Sequence, residues 1–368
     1  EPTSYGFDEA ITGWVRSFYY PFSKAYTGKL PAKEGDYFTD KLTDAALDFI
    51  DRNKDKPFFV HLEHFAVHDP IQGRKDLVEK YERKLASMPK QDGSEYLLEA
   101  NPDGAPLSKD ELKAIAKEQS FESTQKKRVW WVKQRQDNVE FAGMVEAVDE
   151  SLGRIRAKLK ELGLEKNTII IFTSDNGGMA ASNQYCETNK PRKDLDWRFS
   201  TSNLPLRGAK GWNYEGGIRV PLIVYWPGQT KPNQKSHALV TGTDFYPTLL
   251  EMLGFSAMPD QHIDGKSFVP ALMGEDHERG PVFWHFPHYS NHGYQSPNGA
   301  IRVGKHKLIE YFENHTVQLF DLDKDLGEQR DLSKEDPEIA MKMLKQLQDW
   351  RKEVDAKMPR FKTAAPKE

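Results

Sequence analysis

Three groups of residues carry chemistry beyond packing. Asp175 and Asn176 follow an apolar run and precede Gly177 and Gly178. A carboxylate beside an amide oxygen on a glycine-flanked turn suits a hard cation such as Ca²⁺ or Mg²⁺, although Asp-Asn-Gly is also strong turn chemistry in its own right. In the second group, Leu206 to Pro221, the cations Arg207, Lys210 and Arg219 are interleaved with Gly208, Gly211, Gly216 and Gly217. Glycines let backbone approach an anion, and the cations supply the opposing charge. The spacing is not that of a P-loop. Arg207 and Arg219 also have a structural reading, as partners of Glu215 or other carboxylates; packing explains Lys210 less readily. The third group is His68, two residues before Pro70. It is either a titratable base or a hydrogen-bonded surface histidine.

The elements that must position these residues follow from periodicity. Leu42, Ala45, Ala46, Phe49 and Ile50 share one face of a helix over 38–53. Pro57 to Glu63 and His64 is short and aromatic-rich, which predicts a buried strand, and the loop ending at Pro70 follows it. Between Tyr81 and Asp137 the pattern is weak and highly charged, with a turn near Asn101-Pro102-Asp103-Gly104, a polar helix, and Trp130 and Trp131 as packing residues. Ala142, Val145, Val148, Leu152, Ile155, Leu159 and Leu162 recur at spacings of three and four, and Gly163 stands where a helix C-cap belongs. Thr168 to Thr173 predicts a strand buried on both faces. Helix followed by apolar strand implies an α/β layer architecture with a largely parallel sheet, in which ligands sit at the carboxyl ends of strands. Asp175 and Asn176 occupy that place. A further strand is expected over 220–226 and a helix from Asp244. Short antiparallel strands at 300–303, 306–311 and 317–322, then a helix over 337–354, define a small C-terminal α+β domain. The expected boundary divides the chain into 1–275 and 276–368.

The bulk properties narrow the class of function. The 368 residues are 38% hydrophobic, enough for a sizeable core, and the net charge of −4 offers no basic footprint for nucleic acid. No apolar run approaches the roughly 20 residues of a membrane span. Cys186 is the single cysteine, which excludes a disulfide framework and a cysteine-based zinc site. Trp284 to His292 gathers aromatics with His285, His288 and His292. Aromatic faces with polar tips suit a sugar ring, with interdomain packing as the alternative. No carboxylate is interleaved to favour a metal site there. Asn314-His315-Thr316 is a glycosylation sequon by pattern.

Taken in order, several segments resemble successive blocks of the formylglycine-dependent sulfatases: Phe58-Phe59-Val60 through His68-Asp69-Pro70, Thr173 to Gly178, Leu206 to Gly211 with Glu215 to Pro221, and Thr243 to Thr248. Tyr5-Gly6-Phe7-Asp8 is similar to the family's segment just after its N-terminal catalytic blocks. The resemblance implies an alkaline-phosphatase-like α/β fold, a mixed and largely parallel sheet flanked by helices with a small C-terminal α+β domain. It implies Asp175 and Asn176 as ligands of Ca²⁺, with Mg²⁺ second. It makes Lys210 and His68 sulfate contacts, Lys210 neutralising developing charge and His68 assisting near the leaving-group oxygen. Arg207, His285 and His288 are the candidate substrate-binding residues. A sulfated small molecule or glycan is the implied substrate, and a periplasmic or secreted location is the family's habit.

The family's nucleophile is a formylglycine made from Cys or Ser in a Cys/Ser-x-Pro-x-Arg motif. Cys186 precedes Glu187-Thr188-Asn189-Lys190, and Ser87-Met88-Pro89-Lys90-Gln91 lacks the arginine. The expectation is an additional N-terminal segment of ~100–150 residues, which supplies the formylglycine and the remaining metal ligands. Without it, this chain is expected to be inactive. Two alternatives stand beside the sulfatase reading: a phosphonate or phosphodiester hydrolase of the same superfamily, and a non-catalytic sulfatase-like binding protein.

Overall fold

A computed structural model of the chain describes residues 2–24, 29–89, 92–100, 107–118, 129–182, 192–289 and 295–360. Cys186 and His292 lie outside the described residues, as does the turn at Asn101 to Gly104. The chain divides into two compact units. One comprises Glu1–Glu95, Arg135–Thr168 and Asn189–Thr201; the other comprises Tyr96–Gln134, Ile169–Thr188 and Ser202–Glu368. The boundary expected near residue 275 falls inside the second unit.

In the first unit, helix α1 (Phe38–Asn53) forms where its apolar stripe predicts, burying Leu42, Ala46 and Ile50. Helix α2 (Lys75–Ser87) is amphipathic but short of cover, and of its residues only Leu77 is buried. The expected long helix is observed as a Val139–Glu161 segment (α4 in chain order), capped by the Asn138 side chain, which accepts from Phe141 N. Its buried stripe is Gly143, Met144, Ala147, Ser151 and Leu159, whereas Val145 is exposed. Of the residues that the spacing singles out, Leu159 is buried, and the rest of the buried stripe runs beside them. Close packing explains the choice: a Cβ on Gly143 would sit 3.4 Å from Val78 of α2, and Ser151 meets Thr43 of α1 through a 2.7 Å hydroxyl hydrogen bond.

Pro57 to His64 is not a strand among the described residues, and Phe59 is 62% exposed. The segment runs without a ladder partner, so its aromatic content reports no buried sheet position. The unit's core instead gathers Phe18, Phe22, Tyr37 and Phe38 with Ile71, Leu77, Met144 and Ala147.

In the second unit, strands β1 (Tyr96–Ala100) and β2 (Val129–Lys133) pair antiparallel, and the polar helix α3 (Lys109–Glu118) lies between them in sequence. Trp130 and Trp131 on β2 pack against two different apolar clusters, in keeping with a structural role. Strand β3 (Ile170–Thr173) pairs antiparallel with β4 (Leu222–Tyr225). Both are half-buried rather than covered on two faces, and Ile223 is 62% exposed. Every ladder among the described strands is antiparallel. Short helices α5 (Arg192–Asp196, in the first unit) and α6 (Glu215–Ile218) precede α7 (Phe245–Met252) and α8 (Val269–Met273). A capping box between Thr241 and Asp244 starts the helical segment that continues as α7.

The C-terminal sheet has the order β5 (Val282–Phe286), β6 (Asn298–Val303), β7 (His306–Tyr311), β8 (Val317–Asp321). Side chains alternate across it. Ile301, Leu308 and Leu319 pack under helix α9 (Pro337–Glu353) with Ala340, Met343 and Leu347. Ala300, Ile309, Tyr311 and Phe320 occupy the other face and pack with Ala209, Trp212 and Tyr214. The glycine-rich segment around Lys210 is thus seated directly on this sheet.

Candidate functional site

Asp175 and Asn176 leave the carboxyl end of β3 in a turn stitched by its own side chains. Asn176 N donates to Asp175 Oδ1 at 2.9 Å, and Asn176 Nδ2 donates to the Gly177 carbonyl at 3.0 Å. The turn chemistry is therefore real. Turning the amide nitrogen toward Gly177 leaves the Asn176 side-chain oxygen available as an acceptor, and Asp175 is exposed.

The Leu206–Ile218 segment folds back on this turn through backbone contacts too close for side chains. Gly177 N donates to the Gly217 carbonyl at 2.9 Å, and Lys210 N donates to the Gly178 carbonyl at 3.1 Å. A Cβ on Gly177 would lie 1.8 Å from the Gly216 oxygen, and one on Gly217 would lie 2.1 Å from the Trp212 oxygen. Gly208 and Gly211 have φ of 80° and 85°, the left-handed region that glycine adopts without steric cost. Asn203 clasps the assembly: its Nδ2 lies within hydrogen-bond reach of the carbonyls of Gly178, Gly208 and Gly216 at 2.8, 3.0 and 3.0 Å.

Lys210 is half-buried, and among the described residues its ammonium has no carboxylate or hydrogen-bond partner. The other two cations of the segment are engaged. Arg207 Nε donates to Glu99 at 3.1 Å, one terminal nitrogen donates to the Glu328 carbonyl at 2.9 Å, and the guanidinium lies 4.2 Å from the Tyr214 ring centroid. Arg219 lies 3.5 Å from Glu215. The structural reading accounts for both arginines, with Glu99 rather than Glu215 as the partner of Arg207.

Three successive residues bind the segment to the C-terminal sheet. Asn213 N donates to Gln295, and its Nδ2 donates to Asn298 Oδ1 at 2.6 Å. Tyr214 Oη donates to Gln318 at 2.6 Å. Glu215 meets Lys307 at 3.0 Å. Asn203, Asn298 and Lys307 are the contributors that sequence reasoning missed. A signal existed for Lys307, which shares strand parity with Ile309 and Tyr311 and so must face inward; for Asn203 none did.

His68 stands in the first unit, half-exposed, its Nδ1 2.7 Å from Asp69 Oδ1 and its ring 5.1 Å from that of Phe65. His64, four residues earlier, has its Nε2 2.9 Å from Ser151 Oγ. Burial drives its pKa down to about 4, so it is a neutral, structural histidine at physiological pH. His285 pairs across β5–β6 with Gly299, on the face that carries α9. Its Nε2 is 2.9 Å from the Lys357 carbonyl. It thus lies on the opposite face from the Lys210 segment, and packing accounts for its contacts. His288 is exposed, beyond the end of β5, with its ring 4.1 Å from Phe286.

Asp175 and Asn176 fit a hard cation in donor type, two oxygens on a turn. Such an ion takes about six to eight oxygens, and among the described residues no group of three or more His, Cys, Asp or Glu is arranged to hold a metal. The two oxygens of this pair alone are fewer than such an ion takes. Among the described residues, no helix is long and apolar enough to cross a membrane.

These features set a half-buried lysine beside a two-oxygen turn on an α/β scaffold. The chain belongs to the sulfatase family, whose profile matches residues 2–255. A second profile, N-sulphoglucosamine sulphohydrolase, C-terminal, matches residues 209–353. A sulfatase of Formosa agariphila is 30% identical over 383 residues, covering 92% of this chain and 58% of the relative. The N-acetylgalactosamine-6-sulfatase of Canis lupus familiaris is 32% identical over 147 residues, covering 39% of this chain and 25% of the relative. This chain therefore spans little more than half the length of such relatives at most. The crystal structure of Ps i-CgsB in complex with k-i-k-neocarrahexaose superposes with a TM-score of 0.63 at 25% identity, over 95% of this chain and 67% of that one. The fold is that of the alkaline-phosphatase-like sulfatases.

Proposed function

We propose that the protein containing this chain hydrolyses sulfuric esters of a sulfated carbohydrate. The observation that carries the reading is Lys210: a half-buried lysine without a counter-charge among the described residues, on a backbone cradle bonded to the Asp175–Asn176 turn. A sulfate ester carries one negative charge, and charge moves onto the bridging oxygen as the S–O bond breaks. A fixed ammonium in a poorly hydrated setting stabilises that redistribution more than it stabilises the ground state. Lys210 is assigned the sulfate.

Asp175 and Asn176 would hold a Ca²⁺, which when bound supplies Lewis-acid polarisation of a sulfate oxygen. Their own contribution is to fix two oxygens at the end of β3, braced by the Gly177–Gly217 hydrogen bond. His68 is assigned proton transfer near the leaving-group oxygen on the sequence resemblance, with the Asp69 backbone carbonyl 2.9 Å from its Nδ1. The nucleophile, a formylglycine in the family, is assigned to sequence outside this chain. Exposed His288 and Tyr289 offer polar-tipped rings to a sugar. The carbohydrate class is supported by the k-i-k-neocarrahexaose in the Ps i-CgsB complex and by the name of the N-acetylgalactosamine-6-sulfatase.

The test uses the full-length protein, assayed in parallel on an aryl sulfate, a sulfated oligosaccharide and an aryl phosphodiester. Turnover is expected on both sulfates, with the oligosaccharide preferred. A phosphodiester turned over faster than either sulfate overturns the assignment, and sulfate binding without turnover establishes the non-catalytic alternative.

A further inference from the structure

We propose that Glu215, Lys307 and Glu328 are positioning residues: a buried charge cluster through which the C-terminal sheet sets the placement of Lys210 and of the Asp175–Asn176 turn. The proposal rests on the functional reading of those three residues.

Lys307 is completely buried on β7, with Nζ 3.0 Å from Glu215 Oε1 and 2.8 Å from Glu328 Oε1. Glu215 N donates to Glu328 Oε2 at 2.6 Å, so Glu328 binds both the lysine and the first residue of α6. Arg302, on the neighbouring strand, stands 3.5 Å from the second oxygen of Glu215, and Arg219 stands at the same distance. Lys307 shares strand β7 and its inward parity with Ile309 and Tyr311, which belong to an apolar cluster. A buried ion cluster is poor evidence for stability, because well-packed apolar residues of similar volume do as well or better. What it provides, and what an apolar contact lacks, is one directional docking position.

The position is transmitted through backbone rather than flexible side chains. From Glu215 the chain enters Gly216 and Gly217. Gly216 N donates to the Arg207 carbonyl at 2.7 Å, and the Gly217 carbonyl accepts from Gly177 N at 2.9 Å. A Cβ on Gly216 would lie 2.4 Å from the Arg207 oxygen, so these strands of chain are already in contact. Asn203 joins Gly178, Gly208 and Gly216. A displacement of Glu215 has no compliant element in which to dissipate before it reaches Gly177 and Lys210. Misplacement of catalytic groups by about 1 Å costs on the order of 100-fold in rate.

The experiment compares Lys307→Met and Glu328→Gln with wild type in the full-length protein. It measures kcat and KM on a sulfate ester, and amide hydrogen exchange at Gly177, Lys210 and across α9. Lys307→Met is expected to lower kcat by about 10–100-fold, with little change in KM. Exchange at Gly177 and Lys210 should accelerate by at least about tenfold while α9 stays protected. Glu328→Gln, which keeps a side-chain acceptor, should show the same pattern more weakly. Wild-type kcat in both variants overturns the proposal, as does a fall in kcat with unchanged exchange at Gly177 and Lys210. Loss of α9 protection to the same degree in both variants, or failure of both to fold, shows a merely structural cluster and also overturns it. If wild type itself turns over no sulfate ester, the functional reading fails, and the exchange data still decide whether the cluster positions the turn.

Discussion

The Leu206–Ile218 segment and the Pro57–Pro70 segment both carry a candidate catalytic cation or base, and they are held in opposite ways. The first is pinned by glycine-to-glycine backbone contacts, by Asn203, and by three successive anchors on the C-terminal sheet. Lys210 is left over, its charge uncompensated among the described residues. The second runs without a strand partner, its Phe59 largely exposed, and its candidate base His68 is braced by its sequence neighbour Asp69. His64 attaches the same segment to Ser151. The first segment is thus held largely by backbone contacts between glycines, and the second by apolar packing of Leu62, Phe65, Ala66 and Val67 on the core of its unit.

Substitutions can break this contrast. The largest effect is expected from Lys210→Ala, which should lower kcat/KM on a sulfate ester by about 100- to 1,000-fold, the ~2.7–4 kcal/mol typical of one oriented donor. Thermal melting should be unchanged, because the ammonium holds nothing else together among the described residues. In the other segment, His64 makes the strongest demand on pH. Its folded pKa of about 4 lies below the unfolded value of 6.5, so the unfolded chain binds the extra proton between those values. Stability is independent of this group above pH 6.5. It falls as pH drops through 6.5, by about 3 kcal/mol once pH is below 4. Melting temperatures across that window should show the slope, and His64→Gln should flatten it.

Smaller effects sharpen the comparison at the level of glycine. Gly177→Ala places a methyl against the Gly216 carbonyl and should cost about 1–3 kcal/mol by chemical denaturation. Gly153 lies within helix α4, and a Cβ there meets nothing within 4 Å. Gly153→Ala should stabilise by about 0.5–1 kcal/mol. Equal effects at the two glycines would contradict the account of where close packing lies.

Much of this was legible in the sequence where a local rule decided the outcome. Helix α1, the three C-terminal strands from Ala300 onward and α9 follow from periodicity because each has one face on a core. Helix α4 also follows from periodicity, but its burial of Gly143, Ala147 and Ser151 does not, because these sit close to α1 and α2, a tertiary demand that hydrophobicity does not encode. Phe58 to Leu62 misled for the converse reason, apolar content without a described ladder partner. In the site, the glycine-rich sequence around Lys210 marked that residue as poorly explained by packing. The engagement of Arg207 by Glu99, 108 residues away, did not, nor did the placement of His285 on the α9 face. Long-range partners of polar residues leave no periodic trace.

Lys210, set by the C-terminal sheet, is proposed as an anion site. Calorimetric titration of inorganic sulfate into the full-length protein, wild type against Lys210→Ala, tests it without requiring turnover. The account predicts one sulfate bound by wild type and an affinity at least about tenfold weaker in the variant, since loss of a charge-assisted contact costs about 1.5–3 kcal/mol. Equal affinity in the two proteins would contradict it.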